Sequence, residues 1–134
     1  MKIDGSCHCG DLCYQAEVDP AHSMVCHCND CQVLSGSAFR SLVLSLPDAL
    51  VMTAGTPKIY VKTAESGNLR EQAFCGNCGS PIYSVAAGDE PKIYAIRLGT
   101  VAQRDQLDPT RSIWSQSAQH WVGDIDTLPR STEQ

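Results

Sequence analysis

Basic side chains are in short supply in this 134-residue chain. Ten Lys and Arg stand against fifteen Asp and Glu, a formal net charge of −5, so the cationic face that a nucleic-acid partner needs is missing. Long apolar runs are missing too. The best candidate, Leu42 to Met52, is interrupted by Pro47 and Asp48, and nothing reaches the roughly 18 apolar residues of a membrane-spanning helix. The opening Met1-Lys2-Ile3-Asp4-Gly5 holds no apolar stretch of the secretory kind, and the expectation is a cytosolic protein. No internal repeat or low-complexity linker divides the chain, which at this length is expected to be a single domain over residues 1–134 with a real core. Aromatics make up only 6%, but 43% apolar and 19% charged residues are ordinary for a soluble globular protein.

Sulfur is plentiful. Seven of the eight cysteines fall into three short clusters: Cys7-His8-Cys9, Cys26-His27-Cys28-Asn29-Asp30-Cys31 and Cys75-Gly76-Asn77-Cys78. Spacings of one and two residues are too tight for disulfides within a cluster but suit thiolates converging on one cation, and zinc is the default occupant. A chain without a secretory route points the same way, because reducing compartments favour metal binding over disulfides. Seven thiolates on two Zn²⁺ would add roughly three negative charges to the total.

Helical periodicity is scarce and alternation is common. Leu12, Tyr14, Ala16 and Val18 alternate with Cys13, Gln15 and Glu17, the pattern of a half-buried strand. Further strands are expected from Phe39 to Leu46, ended by Pro47, and over Lys58 to Lys62. A hairpin is expected from Pro81–Ala87 and Lys92–Leu98 through Gly88-Asp89-Glu90-Pro91, and a last short strand at His120-Trp121-Val122. One or two helical turns are expected around Asn29 to Leu34, capped by Asn29 or Asp30. The result is a mainly β, antiparallel domain with a loose tail, Ser131 to Gln134.

On a strand, Cys7 and Cys9 share a face and His8 points away; the same geometry separates Cys26 and Cys28 from His27. Cys75-x-x-Cys78-Gly79 resembles a zinc knuckle, which supplies two ligands and needs two more. Cys7 and Cys9 complete a Cys₄ site economically, leaving Cys26, Cys28 and Cys31 as a separate three-sulfur site. Four thiolates close a site, whereas three leave a position open for substrate. Alternatives stand beside this partition: Cys13, a histidine or a partner chain as a fourth ligand to the second cluster, iron–sulfur ligation, or a redox-sensing thiol group. Within an alternating strand, Cys13 is more often a small buried hydrophobe.

Four ordered motifs resemble one family nearly end to end. They are Gly5-Ser6-Cys7-His8-Cys9-Gly10 with Tyr14; Cys26-His27-Cys28-x-x-Cys31 followed by Ser35-Gly36-Ser37-Ala38-Phe39; Phe74-Cys75-x-x-Cys78-Gly79-Ser80-Pro81-Ile82-Tyr83; and Ile113-Trp114-Ser115 with His120-Trp121 and Asp126-x-Leu128-Pro129. The chain resembles the glutathione-dependent formaldehyde-activating enzyme family, also called the centromere protein V/GFA domain. The resemblance implies a β-tent of short antiparallel sheets organised around zinc. It implies Cys7, Cys9, Cys75 and Cys78 as the structural site, and Cys26, Cys28 and Cys31 as the active one. It also implies condensation of formaldehyde with glutathione to S-hydroxymethylglutathione, a carbon–sulfur lyase activity.

The chain departs from the family where a basic residue often follows the third active-site cysteine; here Gln32 and Val33 stand. An anionic thiol must then meet cations elsewhere, with Arg40, Lys58, Lys62, Arg70 and Arg97 as candidates. On the enzyme reading, His27 or Asp30 shuttles a proton, Ser35-Gly36-Ser37 lines the pocket, and Trp114 and Trp121 are core or pocket wall. The alternative is a non-catalytic zinc-folded protein-binding module, favoured by a closed second site.

Overall fold

The computed structural model describes residues 1–133 and is mainly β, with eight strands, one short α-helix and several 3₁₀ turns. The strands are β1 (Lys2–Ser6), β2 (Cys13–Cys26), β3 (Arg40–Ala54), β4 (Lys58–Thr63), β5 (Leu69–Phe74), β6 (Pro81–Ala86), β7 (Ala95–Arg97) and β8 (Arg111–Ile113); α1 is Asn29–Ser35. They form one sheet in the order β1-β2-β3-β7-β6-β5-β4, antiparallel throughout, with β8 added parallel to β2. No helix among the described residues is long and apolar enough to cross a membrane.

The alternation in the first half of β2 places the core. Leu12, Tyr14, Ala16 and Val18 are buried, while Gln15 and Glu17 are exposed. They pack with Ile3, Val43, Ile82, Ile96, Leu98, Val101 and Leu107 in one main cluster. Burial pushes the Tyr14 phenol up to about 12, and its hydroxyl is held by Thr100 at 2.8 Å.

Proline does not end β3 at Leu46. The strand runs on to Ala54 because the chain bulges at Pro47 and Asp48, where four residues intervene between Ser45, opposite Val18, and Leu50, opposite Ala16. Asp48 adopts a left-handed φ of 56° and is pinned to Lys92 through two hydrogen bonds of 2.7 and 2.8 Å. β2 is irregular at the matching level, so the pair bends. Before the bend, β3 is covered on both faces: Val43 joins the main core, and Leu42 joins Met24 and Ala95 in a second, smaller apolar cluster.

Other boundaries also shift. β1 and β5, absent from the sequence expectation, are recruited by pairing with β2 and with β4 and β6. The expected strand at His120-Trp121-Val122 is instead a turn leading into a 3₁₀ segment, Val122–Thr127, which pairs with no strand. Ser131 to Glu133 are exposed without regular structure; Gln134 lies outside the described residues.

Gly5 is a packing requirement. A Cβ there would sit 2.3 Å from the Tyr14 ring and 2.4 Å from the Thr100 carbonyl oxygen, whereas Gly99 has nothing within 4 Å. Gly5→Ala is expected to cost about 2 kcal/mol or more in urea unfolding, with Gly99→Ala at most half of that, because overpacking against backbone cannot relax.

Candidate metal centres and the cavity beside them

The seven clustered cysteines assemble into two groups, each with its sulfurs within 4.8 Å of one another: Cys7, Cys9, Cys75 and Cys78, and separately Cys26, Cys28 and Cys31. Cys13 joins neither. Its thiol is half-buried, bonds the Gly10 carbonyl at 3.6 Å, and lines a separate cavity of about 780 Å³ with Tyr14 and Thr100.

The first group is made by two turns. Cys7 and Cys9 lie between β1 and β2 rather than on a strand, so turn geometry brings their sulfurs to 3.5 Å; Cys9 and Cys75 are 3.8 Å apart. The Cys75–Cys78 turn is closed by Gly79 N–H donating to the Cys75 carbonyl, with Gly79 at φ +78°, a conformation glycine adopts without strain. His8 is not among the grouped ligands, and its backbone N–H donates to Ser80 Oγ at 3.0 Å, tying the turns together. Hydrogen bonds from the Ser80 hydroxyl and backbone hold the Cys78 thiol down at about 5.

The second group stands at the other end of β2. Cys26 is its last residue, and Cys28 and Cys31 belong to the start of α1. The helix is capped by Cys28, not by Asn29 or Asp30: its sulfur accepts the Cys31 N–H at 3.3 Å. Asp30 is instead paired with Lys62 Nζ at 2.6 Å. A hydrogen bond from the Cys31 thiol holds Cys26 below its ordinary value and, in return, pushes Cys31 up.

These three sulfurs lie on a cavity of about 1010 Å³. Strand register builds its floor: Arg40 pairs opposite Cys26, Leu42 opposite Arg97, and Gln72 opposite Ser84, so side chains two residues apart fall on one face of five strands. Arg40, Arg70, Arg97 and Lys62, four of the five candidate cations, line it. Lys58 does not; its side-chain carbons lie over Gly76 in the Cys75–Cys78 turn.

Several expected roles are not met. His27 is 5% exposed, packs tilted against Phe39 with ring centroids 5.5 Å apart, and neither joins the sulfur group nor lines the cavity. Ser35-Gly36-Ser37 form the helix end, with Gly36 left-handed and Ser37 N–H on the Gln32 carbonyl, and stay off the cavity wall. Trp114 is wall, held in a left-handed conformation that is costly for a bulky residue; Trp121 is exposed and off the cavity.

Gln32, noted in sequence only for not being basic, proves to be a strut. Its Nε2 donates to the His27 carbonyl at 2.8 Å and to the Ser117 carbonyl at 2.9 Å, while its Oε1 accepts from Gln119. Together with His27 N–H on the Ile113 carbonyl, these bonds hold residues 113–119 against the sulfur group. Gln32→Ala is expected to speed amide exchange across residues 115–119 by about tenfold, with strand β6 unchanged, since two buried-side carbonyl partners are lost.

A mainly β chain whose two cysteine groups suit metal ions, one of them opening on a cavity, defines the class of protein. A family model described as glutathione-dependent formaldehyde-activating enzyme matches residues 2–117, and the chain belongs to that family. A crystal structure of a Rhodobacter sphaeroides protein shares the fold, with a TM-score of 0.62 at 18% identity, over 81% of this chain and 98% of that one. No curated protein matches the chain.

Proposed function

We propose that this chain is a zinc-dependent enzyme that makes and breaks the carbon–sulfur bond between glutathione, or another thiol, and a small aldehyde such as formaldehyde. The family's description supports the reaction class. The observation that carries the reading is the contrast between the two sulfur groups: four cysteines close the first, while three form the second on the wall of a cavity.

The donor sets fit zinc. Sulfur separations of 3.5 and 3.8 Å in the first group match the edge of a tetrahedron with Zn–S bonds of about 2.3 Å, about 3.8 Å. On this reading Cys7, Cys9, Cys75 and Cys78 hold a structural ion, and Cys26, Cys28 and Cys31 hold a second with one position open. Bound there, zinc supplies a Lewis-acidic position that keeps a substrate sulfur as thiolate.

The chain's own groups do the rest. The Cys31 thiol on Cys26 favours the ionised Cys26 that ligation requires while making Cys31 itself harder to ionise, and the Cys31 N–H is spent on Cys28 Sγ at 3.3 Å. Met24, Leu42, Leu44, Ala95 and Ile113 make part of the cavity wall apolar beside the sulfurs. Asp30 faces the cavity already committed to Lys62, and buried His27 is removed from proton transfer. As the carbon–sulfur bond forms, the thiol proton is lost and the aldehyde oxygen gains one; nothing is oxidised, and the reverse is the lyase direction.

Elemental analysis of wild type and of a Cys26→Ser/Cys28→Ser/Cys31→Ser variant, each with and without glutathione, tests the reading. The expected result is two zincs falling to one in a folded variant, with glutathione altering the loading of the second ion in wild type only. Exchange spectroscopy with ¹³C-formaldehyde should show adduct formation faster than the spontaneous reaction, and the variant should lose that acceleration. One zinc in both proteins, unmoved by glutathione, leaves a non-catalytic binding module. Because three thiols must lose protons, loading of the second ion should fall as pH drops and the sulfurs reprotonate.

A further inference from the structure

The cavity floor carries more positive charge than its sulfurs require. Arg40 and Arg97 are 6% and 5% exposed, and among the described residues their only side-chain hydrogen-bond partner is one neutral oxygen, Gln72 Oε1, at 3.4 and 3.0 Å. Arg97 also donates to the Ala95 carbonyl at 3.2 Å. The Nε–H of both guanidiniums is buried and has no partner among the described residues. Arg70 donates to Ser84 Oγ at 3.4 Å, and no carboxylate among the described residues lies in ion-pair reach of any of the three. The acidic residues on the cavity are Asp30, paired with Lys62, and Glu65.

Buried cations without a counter-ion are expensive, and two side by side repel. Burial and the neighbouring Arg40 depress Arg97 to about 9, which leaves it charged at neutrality. Since folding is opposed by a charge whose pKa falls, the penalty is present below that value and relieved only as pH rises through it. Packing does not explain the arrangement, because an aliphatic side chain would fill the same space without the cost. The sulfurs explain only part of it. Among the groups held away from solvent, three thiolates on a divalent ion leave one net negative charge and three guanidiniums exceed it by two; Glu65 on the cavity is exposed and screened by water. A substrate thiolate at the open position would leave an excess of one, the charge of a single carboxylate.

We propose that Arg40 and Arg97, positioned by Gln72 and joined by Arg70, form a carboxylate-binding subsite, so that the substrate of this cavity bears a carboxylate close to its reacting atoms. Guanidinium forks match a planar two-oxygen anion; the Nε–H groups are sealed inside the wall, and Arg40 Nη2, which makes no hydrogen bond among the described residues and is not sealed, is the donor free for it. The proposal rests on the cavity being the reaction site, but the anion contact itself needs no metal. Two reactants can bring the carboxylate: the thiol, as in glutathione, or the carbonyl compound, as in a 2-oxo acid.

The test compares glutathione, its diethyl ester and glyoxylate by calorimetry and thermal shift on zinc-loaded wild type, Arg97→Gln and Arg97→Lys. If the thiol supplies the anion, glutathione should bind wild type at least about tenfold tighter than the ester, a gap that Arg97→Gln closes and Arg97→Lys partly restores. If the carbonyl compound supplies it, glutathione and ester bind alike, while glyoxylate raises the Tm of wild type but not of Arg97→Gln. In either case, ligand-free Arg97→Gln should melt at or about 2–4 °C above wild type, because an unpaired buried charge is gone.

A ligand-free Arg97→Gln that melts several degrees lower, with ligand responses unchanged, would make the arginine structural and overturn the proposal. So would the absence of both the ester gap and the glyoxylate shift in wild type. The Cys26→Ser/Cys28→Ser/Cys31→Ser variant separates this failure from that of the thiol chemistry: it should lose zinc yet keep any glyoxylate shift.

Discussion

Four sulfurs from the β1–β2 turn and the β5–β6 turn meet within 4.8 Å of one another, although those hairpins are separated in the sheet order by β3 and β7. A sheet that joined them only through ladder hydrogen bonds would keep the two turns apart. Their meeting folds the sheet over, encloses Ile3, Tyr14, Val43, Ile82 and Ile96, and explains how a chain with so few aromatics closes a core. A metal ion at this junction would act as a crosslink between distant strands, with its binding free energy serving as folding free energy.

The same fold-over leaves a second concave face. Before the Pro47–Asp48 bulge, β3 turns its Arg40–Leu42–Leu44 side away from the main core, and β7, β6 and β5 add Arg97, Ser84 and Gln72 to it. Apolar and cationic residues therefore lie within one wall, next to three sulfurs. The two ends of β2 thus perform separate tasks. One end is bound into the sheet closure, and the other presents Cys26 to an open space.

Local chemistry was legible in the chain and long-range register was not. One- and two-residue gaps fix which sulfurs travel together in three clusters; that the first and third merge into a group of four rested on economy of ligands and on the family resemblance, and the structure brings those four sulfurs together. The buried series Leu12, Tyr14, Ala16 and Val18 follows from period two alone. By contrast, nothing near Arg40 announces that it will stand opposite Cys26, nor that Gln72 will be shared with Arg97; those contacts come from pairings across dozens of residues. Pro47 misled because a proline at a bulge needs no ladder N–H. Asp30 looked like a helix cap, but the helix drew its cap from a sulfur one residue before its start and gave the aspartate to Lys62. His120-Trp121-Val122 had strand composition, but the chain there turns into a 3₁₀ segment and pairs with no strand.

That sulfur cap gives α1 an unusual dependence. Seven residues are too few for a helix to persist by its own hydrogen bonds, and its first turn hangs on Cys28 and Cys31. From its second turn, Gln32 reaches Ser117 and Gln119. An ion held by the three sulfurs would therefore bear on this turn: its binding would favour the wound helix, and its loss would leave the first turn to fray.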